Sequence, residues 1–309
     1  MQSTDNKIRI VTVAGPTASG KTALAVALAK RLNGEVISAD SMQVYAEPRI
    51  GTARPDESEM AGIPHHLLGF VPLSRPYSVA QYAEDARAAI ADIHSRGKLP
   101  ILCGGTGLYI QAVTENLSFS PEDSHDDCRA ELKARAAAEG IEALLAELTA
   151  VDPETAARLH PNDEGRIIRA LEVYKMTGRT MTEQRRLSRT QPTPYNNTLL
   201  FLDFRNRDVL YDRIDRRVDA MLQNGLLAEA ERLLAAPTAP TAMQAIGYKE
   251  LAPYFAGTLT LSEAVDNLKR STRRYAKRQL SWFRRLAEPL YVDDYPDPAD
   301  LLQAACDRL

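Results

Sequence analysis

Gly15, Pro16, Thr17, Ala18, Ser19, Gly20, Lys21 and Thr22 follow the spacing G-x-x-x-x-G-K-[ST], the pattern of a phosphate-binding loop. Each residue type has a task in that chemistry. Gly15 and Gly20 let the backbone curl until successive N–H groups face an anion, and a helix beginning there adds the positive end of its dipole. Lys21 supplies a point charge for phosphate, and the Thr22 hydroxyl is a ligand for Mg²⁺. The flanks have the required order. Ile8–Ala14 is apolar and β-branched, as a buried parallel strand must be, and Ala23–Leu32 is a helical run stopped by Asn33-Gly34. The chain is therefore expected to bind a di- or triphosphate; the loop alone does not say which.

Two further stretches should meet this loop. Glu35–Ala39 reads as a second buried strand, with Asp40 and Ser41 at the C-terminal end that lines the ligand crevice of an open α/β sheet. Leu99–Cys103 reads as a third strand, and Gly104-Gly-Thr-Gly107 opens a helix, bringing backbone N–H groups and the Thr106 hydroxyl to the same crevice. Group transfer from a phosphate-bearing donor needs a cradle for the phosphate, a cation, and a base for the acceptor. Asp40 is the candidate base; the same spacing also suits a carboxylate near Mg²⁺ or a helix cap. The third strand ends in glycines rather than the Asp of the usual ATPase layout, which argues against a motor or a GTPase.

With 309 residues, 44% apolar and 26% charged, the chain has the composition of a soluble globular protein with ample core. No apolar run is long enough to span a membrane, and the Met1–Lys7 start is polar rather than signal-like. Cys103, Cys128 and Cys306 are scattered and form no C-x-x-C, which fits reduced thiols in the cytoplasm and no zinc site. His65-His66 gives no metal spacing and is expected in a loop, within a long irregular connection from Met42 to Pro76. Ser78 and Gln81 make a capping box for a helix that ends before Gly97.

From about Asn116 the pattern turns wholly helical. Residues 116–196 carry helical segments at Asp126–Glu139, Ile141–Thr149, Pro153–Leu159, Asp163–Thr177 and Thr180–Arg189, with many cations, and read as an inserted helical domain. Thr198–Phe204 returns to the sheet, and Asp208–Leu234 is helical with a break at Asn224-Gly225 and carries Arg213, Arg216 and Arg217. Thr260 and Glu263 cap a last long helix. Between Lys269 and Arg285 it has eight Lys or Arg and no acid, with Arg270, Arg274, Lys277, Ser281 and Arg284 along one face. A solvated basic face would look the same, but the missing acids and a net charge of −3 for the whole chain favour contact with a phosphate backbone. The fold expected is α/β: a P-loop NTPase-like parallel sheet flanked by helices (1–115 and 197–309) with an all-helical insertion (116–196).

Taken together, the phosphate loop, Ser38-Ala-Asp-Ser-Met-Gln-Val-Tyr45, Ile50-Gly-Thr-Ala-Arg-Pro55, Gly104-Gly-Thr-Gly-Leu-Tyr109 and Arg278-Gln-Leu-Ser-Trp282 resemble the tRNA dimethylallyltransferases. His160-Pro-Asn-Asp163, Arg166, Arg169-Ala-Leu-Glu-Val173 and Ala245-Ile-Gly-Tyr248 extend the resemblance over nearly the whole chain. It implies transfer of a dimethylallyl group from its diphosphate to the exocyclic amine of tRNA adenosine 37, beside the anticodon. Gly15–Thr22 would then hold the leaving diphosphate, neutralised by Lys21 and Arg217, with Mg²⁺ on Thr22. Asp40 would take the amine proton and Thr106 would orient the amine. The tRNA contacts implied are Asp40, Ser41, Met42, Gln43, Thr106, Arg129, Gly165, Arg166, Ile167, Ile168, Arg169, Arg274, Lys277 and Arg278, with the insertion gripping the anticodon stem-loop. A monomer without membrane association is expected. The sequence departs from the family at Ala46-Glu-Pro-Arg49, at Gly69 where Asp is common, and at Gly165 and Ile168, which replace polar residues. The rival readings are a small-molecule kinase of the shikimate-kinase type, a prenyltransferase acting on free adenine nucleotides, and a non-catalytic tRNA-binding protein. A metabolite kinase has no use for the helical insertion or the acid-free helix.

Overall fold

A strand buried on both faces must be apolar on both, and β1 (Ile8–Ala14) satisfies this: Ile10, Val11, Val13 and Ala14 are wholly buried. The computed structural model describes residues 7–119, 126–236 and 245–309, so most of the polar start lies outside the described residues. After β1 come α1 (Lys21–Leu32), β2 (Gly34–Ser38), α2 (Glu57–Met60), β3 (His65–His66), α3 (Val79–Ser95), β4 (Leu99–Gly104) and α4 (Gly107–Thr114). A helical stretch follows: α5 (Asp126–Glu139), α6 (Ile141–Val151), α7 (Pro153–Ala156), α8 (Glu164–Thr177) and α9 (Met181–Ser188). The chain then adds β5 (Tyr195–Asp203), α10 (Arg207–Gln223), α11 (Leu226–Leu234), α12 (Ala252–Phe255), α13 (Leu261–Phe283), β6 (Pro289–Tyr291) and α14 (Pro298–Cys306). No helix among the described residues is long and apolar enough to cross a membrane.

The six strands form one sheet in the order β3-β2-β4-β1-β5-β6, every neighbouring pair parallel. Ala14 pairs with Gly104 on one side and Phe201 on the other, and Ser38 pairs with Cys103. The loops after β1, β2 and β4 therefore emerge side by side at the C-terminal edge, where the strand order reverses and ligands of such sheets bind. One face of the sheet, with Ile10, Ile37, Leu102 and Phe201, packs on Ile90, Ile110, Ile214 and Phe283 of the helices. The other, with Val11, Val13, Ile101 and Leu202, packs on Leu24, Leu28 and Leu301. Residues up to Thr114 and from Thr193 onward form one compact unit, and Glu115–Pro192 forms a second. That second unit has its own core of Leu132, Leu144, Leu148, Ile167, Ile168 and Leu171.

The structure changes the expected element list in short pieces. His65-His66 is not a loop pair but the edge strand β3, paired with Val36 and Ile37, and α2 breaks the connection expected to be irregular throughout. Two residues carry no periodicity, so only the neighbouring strand could reveal them. β5 starts at Tyr195, inside the range expected to be helical, and β6, α12 and α14 were not anticipated.

At the N-terminal end of β2, remote from the ligand edge, Glu35 is 2% exposed. Its carboxylate accepts from Arg96 at 2.5 and 2.7 Å, from Lys98 at 2.7 Å and meets His66 Nε2 at 2.7 Å. The Arg96 hydrogen bond holds this carboxyl far below the usual carboxylate range, against the opposing effect of burial and with help from Lys98 and His66. A depressed folded-state pKa adds stability that is complete above the unfolded value, about 4.3, and fades as pH falls toward the folded one. Glu35→Gln should therefore lose roughly 1–3 kcal/mol in urea unfolding at pH 7. The gap to wild type should narrow in acid; a gap constant down to pH 3 would contradict this account.

Candidate active site

The turn after β1 is built for an anion. Ala18 (φ 63°) and Gly20 (φ 89°) lie in the left-handed region, and Ser19 N–H closes the turn on the Pro16 carbonyl at 3.3 Å. Gly20 caps α1 without any side-chain hydrogen bond, so the first N–H groups of the helix stay available to a ligand. Ser19 Oγ is buried with no partner, an orphaned donor inside the loop. Three cations converge. Lys21 Nζ donates to Pro16 O at 3.2 Å, Arg213 Nε donates to Ala18 O at 2.8 Å, and Arg217 reaches Ala53 O at 3.4 Å. Burial pushes the Lys21 pKa down and neighbouring Arg217 pushes it the same way, with Cys103 and Asp40 opposing. Burial likewise lowers Arg217, and Arg213 adds repulsion. Like charges held together out of water favour whatever anion can neutralise them.

The acceptor side lies across the sheet edge. Asp40 Oδ1 accepts from the N–H groups of Met42 (2.9 Å) and Gln43 (3.3 Å), which folds the 40–43 turn around its carboxylate. Thr106 Oγ accepts from Ser41 N–H at 3.0 Å, and Thr106 N–H donates to Ala39 O at 3.1 Å. Cys103 is buried beneath them, and burial pushes its thiol up to about 11, so it is a protonated packing group rather than a nucleophile. Helix α13 ties the two sides together. Gln279, 5% exposed, accepts from Thr17 N–H at 2.9 Å and donates to Gly105 O at 3.0 Å. A Cβ on Gly105 would stand 2.1 Å from Gln279 Nε2, one on Gly107 2.4 Å from Trp282, and one on Gly104 2.1 Å from Ala39 O. At Gly104 a side chain is excluded by the Ala39 backbone, and at Gly105 and Gly107 it would have to displace Gln279 and Trp282.

Two cavities meet here. The first, about 380 Å³, is lined by Thr17, Lys21 and Asp40 and has an apolar wall of Ile214, Val218, Met221, Leu226 and Leu268. The second, about 880 Å³, is cationic, with Arg49, Arg54, Arg213, Arg216 and Arg217 around Ala18–Thr22. Lys21, Gln43, Ala53, Arg217 and Met221 line both. Comparison with known proteins decides the relationship. The family model described as "IPP transferase" matches residues 43–286. The tRNA dimethylallyltransferase of Halalkalibacterium halodurans is 49% identical over 288 residues, 93% of this chain and 91% of that protein. That of Bacillus subtilis is 46% identical, covering 96% of this chain and 94% of its own length. This chain belongs to the IPP transferase family.

Solved members of the family share its architecture. The full-length tRNA isopentenylpyrophosphate transferase from Bacillus halodurans superposes with a TM-score of 0.72 at 44% identity, over 98% of this chain and 97% of that one. A eukaryotic dimethylallyltransferase acting on tRNA gives 0.74 at 32% identity, over 89% of this chain and 70% of its own. Of the residues expected at the site, Thr17, Lys21, Asp40, Ser41, Met42, Gln43, Arg217 and Arg278 line the first cavity, Ala18–Thr22 line the second, and Thr106 is hydrogen-bonded to Ser41. Arg274 and Lys277 are exposed on α13, and neither pairs with an acid among the described residues. The expectation that the helix lacks acidic partners is corrected: Lys269 pairs with Asp219, Arg273 with Asp215 and Arg284 with Asp203. Those acids lie on α10 and at the end of β5, invisible to a reading of the helix alone.

In the second unit, Arg166 and Gly165 are exposed, but Ile167 and Ile168 are 0% and 3% exposed and belong to its core. Their side chains cannot serve the tRNA contact expected of them. Arg129 and Arg169 both bind buried Glu172, at 2.7 and 2.9 Å. Gly69, where the family pattern has Asp, sits at φ 64° with the Arg54 guanidinium in the place of a side chain. Gln279 and Tyr275, which line the first cavity, and Arg213, which lines the second, are not among the residues expected at the site, because only long-range contacts single them out. The oxygen donors near the loop, Thr22 and Asp40, suit Mg²⁺, a hard cation that keeps waters and takes phosphate oxygens. Among the described residues no cluster of three or more His, Cys, Asp or Glu could hold a metal ion by itself.

Two predictions follow from this geometry. Lys21 has a lowered pKa, and a bound diphosphate would raise it again, so diphosphate affinity should be full below the free pKa and fall as pH rises toward the bound one. Calorimetry of inorganic diphosphate in alkaline buffers of different ionisation enthalpy should show proton uptake, absent in Lys21→Arg; equal uptake in that variant would place the proton elsewhere. Gly105→Ala should destabilise the fold by about 1–3 kcal/mol through its clash with Gln279. In Gly105→Ala/Gln279→Ala the two effects should combine to less than their sum in urea unfolding, and strict additivity would refute the packing argument.

Proposed function

We propose that this chain transfers a dimethylallyl group from dimethylallyl diphosphate to the exocyclic amine of adenosine 37 of tRNA, releasing diphosphate. One observation carries the reading: the cavity with the apolar wall and Asp40 shares Lys21 and Arg217 with the cationic cavity around the phosphate loop. A kinase needs the cradle but has no use for Ile214, Val218 and Leu268 beside it, whereas a prenyl group does.

In the reaction the C1–O bond of the donor breaks, the electron pair leaves with diphosphate, and the amine nitrogen bonds to C1. Lys21, Arg213 and Arg217, with the N–H groups of the loop, would stabilise charge gathering on the leaving diphosphate. Thr22 would hold Mg²⁺ arriving with the diphosphate, which when bound adds positive charge to those oxygens. The adenine amine is a weak nucleophile because its lone pair is delocalised into the ring. Asp40 would accept its proton as the new bond forms, and Thr106, fixed through Ser41, would orient it. The base must leave its stack to arrive there. Exposed Arg274, Lys277 and Arg278 on α13 and the cations of the helical unit would hold the anticodon stem-loop through its phosphates. The free thiols Cys103, Cys128 and Cys306 fit a cytoplasmic protein. We read it as a monomer.

Labelled dimethylallyl diphosphate should transfer label to bulk tRNA and not to AMP; equal labelling of AMP, or phosphoryl transfer from ATP instead, would overturn the reading. Asp40→Asn keeps the size of the side chain but cannot take a proton. It should slow single-turnover transfer by roughly 10²–10⁴-fold, with donor and tRNA dissociation constants within a few-fold of wild type. Loss of donor affinity with near wild-type chemistry at saturation would make Asp40 a metal-shell residue instead.

A further inference from the structure

Glu229, on α11, is 7% exposed and directs its carboxylate at a bend of backbone from the opposite side of the cavities. Oε2 accepts from the N–H groups of Arg49 and Ile50, both at 3.0 Å, and Oε1 accepts from Gly51 N–H at 2.9 Å and from Tyr248 Oη at 2.8 Å. Three successive N–H groups on one carboxylate are an anion nest whose anion is part of the protein. The packing is close: a Cβ on Gly51 would stand 2.6 Å from Tyr248 Oη. The motifs Ile50–Pro55 and Ala245–Tyr248, with no separate task in the chemistry, thus meet at one side chain.

The other side of this bend faces the site. Thr52 O and Ala53 O accept from Gln43 Nε2 at 3.1 and 3.0 Å, and Ala53 O accepts from Arg217 at 3.4 Å. Gln43 and Arg217 line both cavities, one from the acceptor turn and the other from the diphosphate cradle. We propose that Glu229 is a positioning residue for the transfer: it fixes the 49–53 bend, whose carbonyls in turn set Gln43 and Arg217 against acceptor and donor. The proposal rests on the prenyl-transfer reading and extends it to a residue outside the reacting groups. Burial raises the carboxyl's pKa, but the hydrogen bonds from Gly51, Ile50, Arg49 and Tyr248 outweigh it and the net direction is down, so the clamp is charged at neutral pH.

Glu229→Gln turns one oxygen into an N–H donor facing backbone N–H groups, while Tyr248→Phe removes a single bond and leaves the carboxylate. With wild-type transfer to tRNA as the control, Glu229→Gln should lower kcat/KM for the donor by roughly 10- to 100-fold, and Tyr248→Phe by a few-fold. Rates are normalised to folded protein by circular dichroism and diphosphate-binding stoichiometry. A cycle with Gln43→Ala should be non-additive, because both substitutions release the same bend. Wild-type kcat and KM in folded Glu229→Gln, or an additive cycle, would overturn the positioning role. If Glu229→Gln does not fold, the cycle is run with Tyr248→Phe, and additivity there is equally decisive. Absence of transfer in the wild-type control would instead remove the underlying functional reading.

Discussion

The primary amide of Gln279 accepts from Thr17 N–H and donates to Gly105 O, and it can do both only if the two turns leave a gap one amide wide. Most of the site depends on that gap. Side chains are excluded from it, so the turn after β4 carries glycine at 104, 105 and 107, each pressed against Ala39, Gln279 or Trp282. The gap also fixes the distance between the phosphate-loop turn and the turn that carries Thr106. For a displacement reaction that distance is the main thing a protein supplies, since correctly placed reactants lose most of their entropic barrier. Helix α13 is thus a structural beam whose buried face registers the two turns and whose exposed face carries Arg270, Arg274, Lys277 and Arg278.

Charge is sorted by function across the molecule. Glu35 with Arg96, Lys98 and His66 is a closed network at the N-terminal end of the sheet, where every charge has a partner and the result is stability. At the C-terminal edge Lys21, Arg213 and Arg217 crowd one another around backbone carbonyls, with Asp40 and Glu59 the nearby acids. Burial and mutual repulsion make that arrangement costly until an anion neutralises it. On α13 both conditions occur along one helix: Lys269, Arg273 and Arg284 are held by acids of neighbouring elements, while Arg270, Arg274 and Lys277 face outward.

The paired cavities follow from the same layout. An apolar wall from α10, α11 and α13 adjoins a cationic basin, and Lys21 and Arg217 stand where the two meet. A diphosphate ester has this polarity in one molecule: an ionic end and a hydrocarbon end. The Glu229 clamp supports the roof over that junction from behind, so a carboxylate that touches neither substrate shapes both cavities.

Local chemistry was enough for the sequence to determine the phosphate loop, the two strands beside it, the capping boxes at Ser78 and Thr260, and the helical insertion. Strand and helix periodicity, glycine spacing and cap residues all act within a few positions, so they can be read along the chain. The positions of Asp40 and Thr106 beside one another were legible for the same reason, each sitting just after a buried strand. The structure alone decided what reaches across the chain: Gln279 bonds Thr17 from 262 positions away, and Glu229 bonds the 49–51 backbone from about 180. It also decided which cations are free, because Asp203, Asp215 and Asp219 approach α13 only in three dimensions. Ile167 and Ile168 make the point from the other side. A motif placed them at an RNA contact, and the packing of α8 against α5 and α6 put their side chains in the core. Such contacts depend on the close approach of distant segments, and residue type alone carries no record of it.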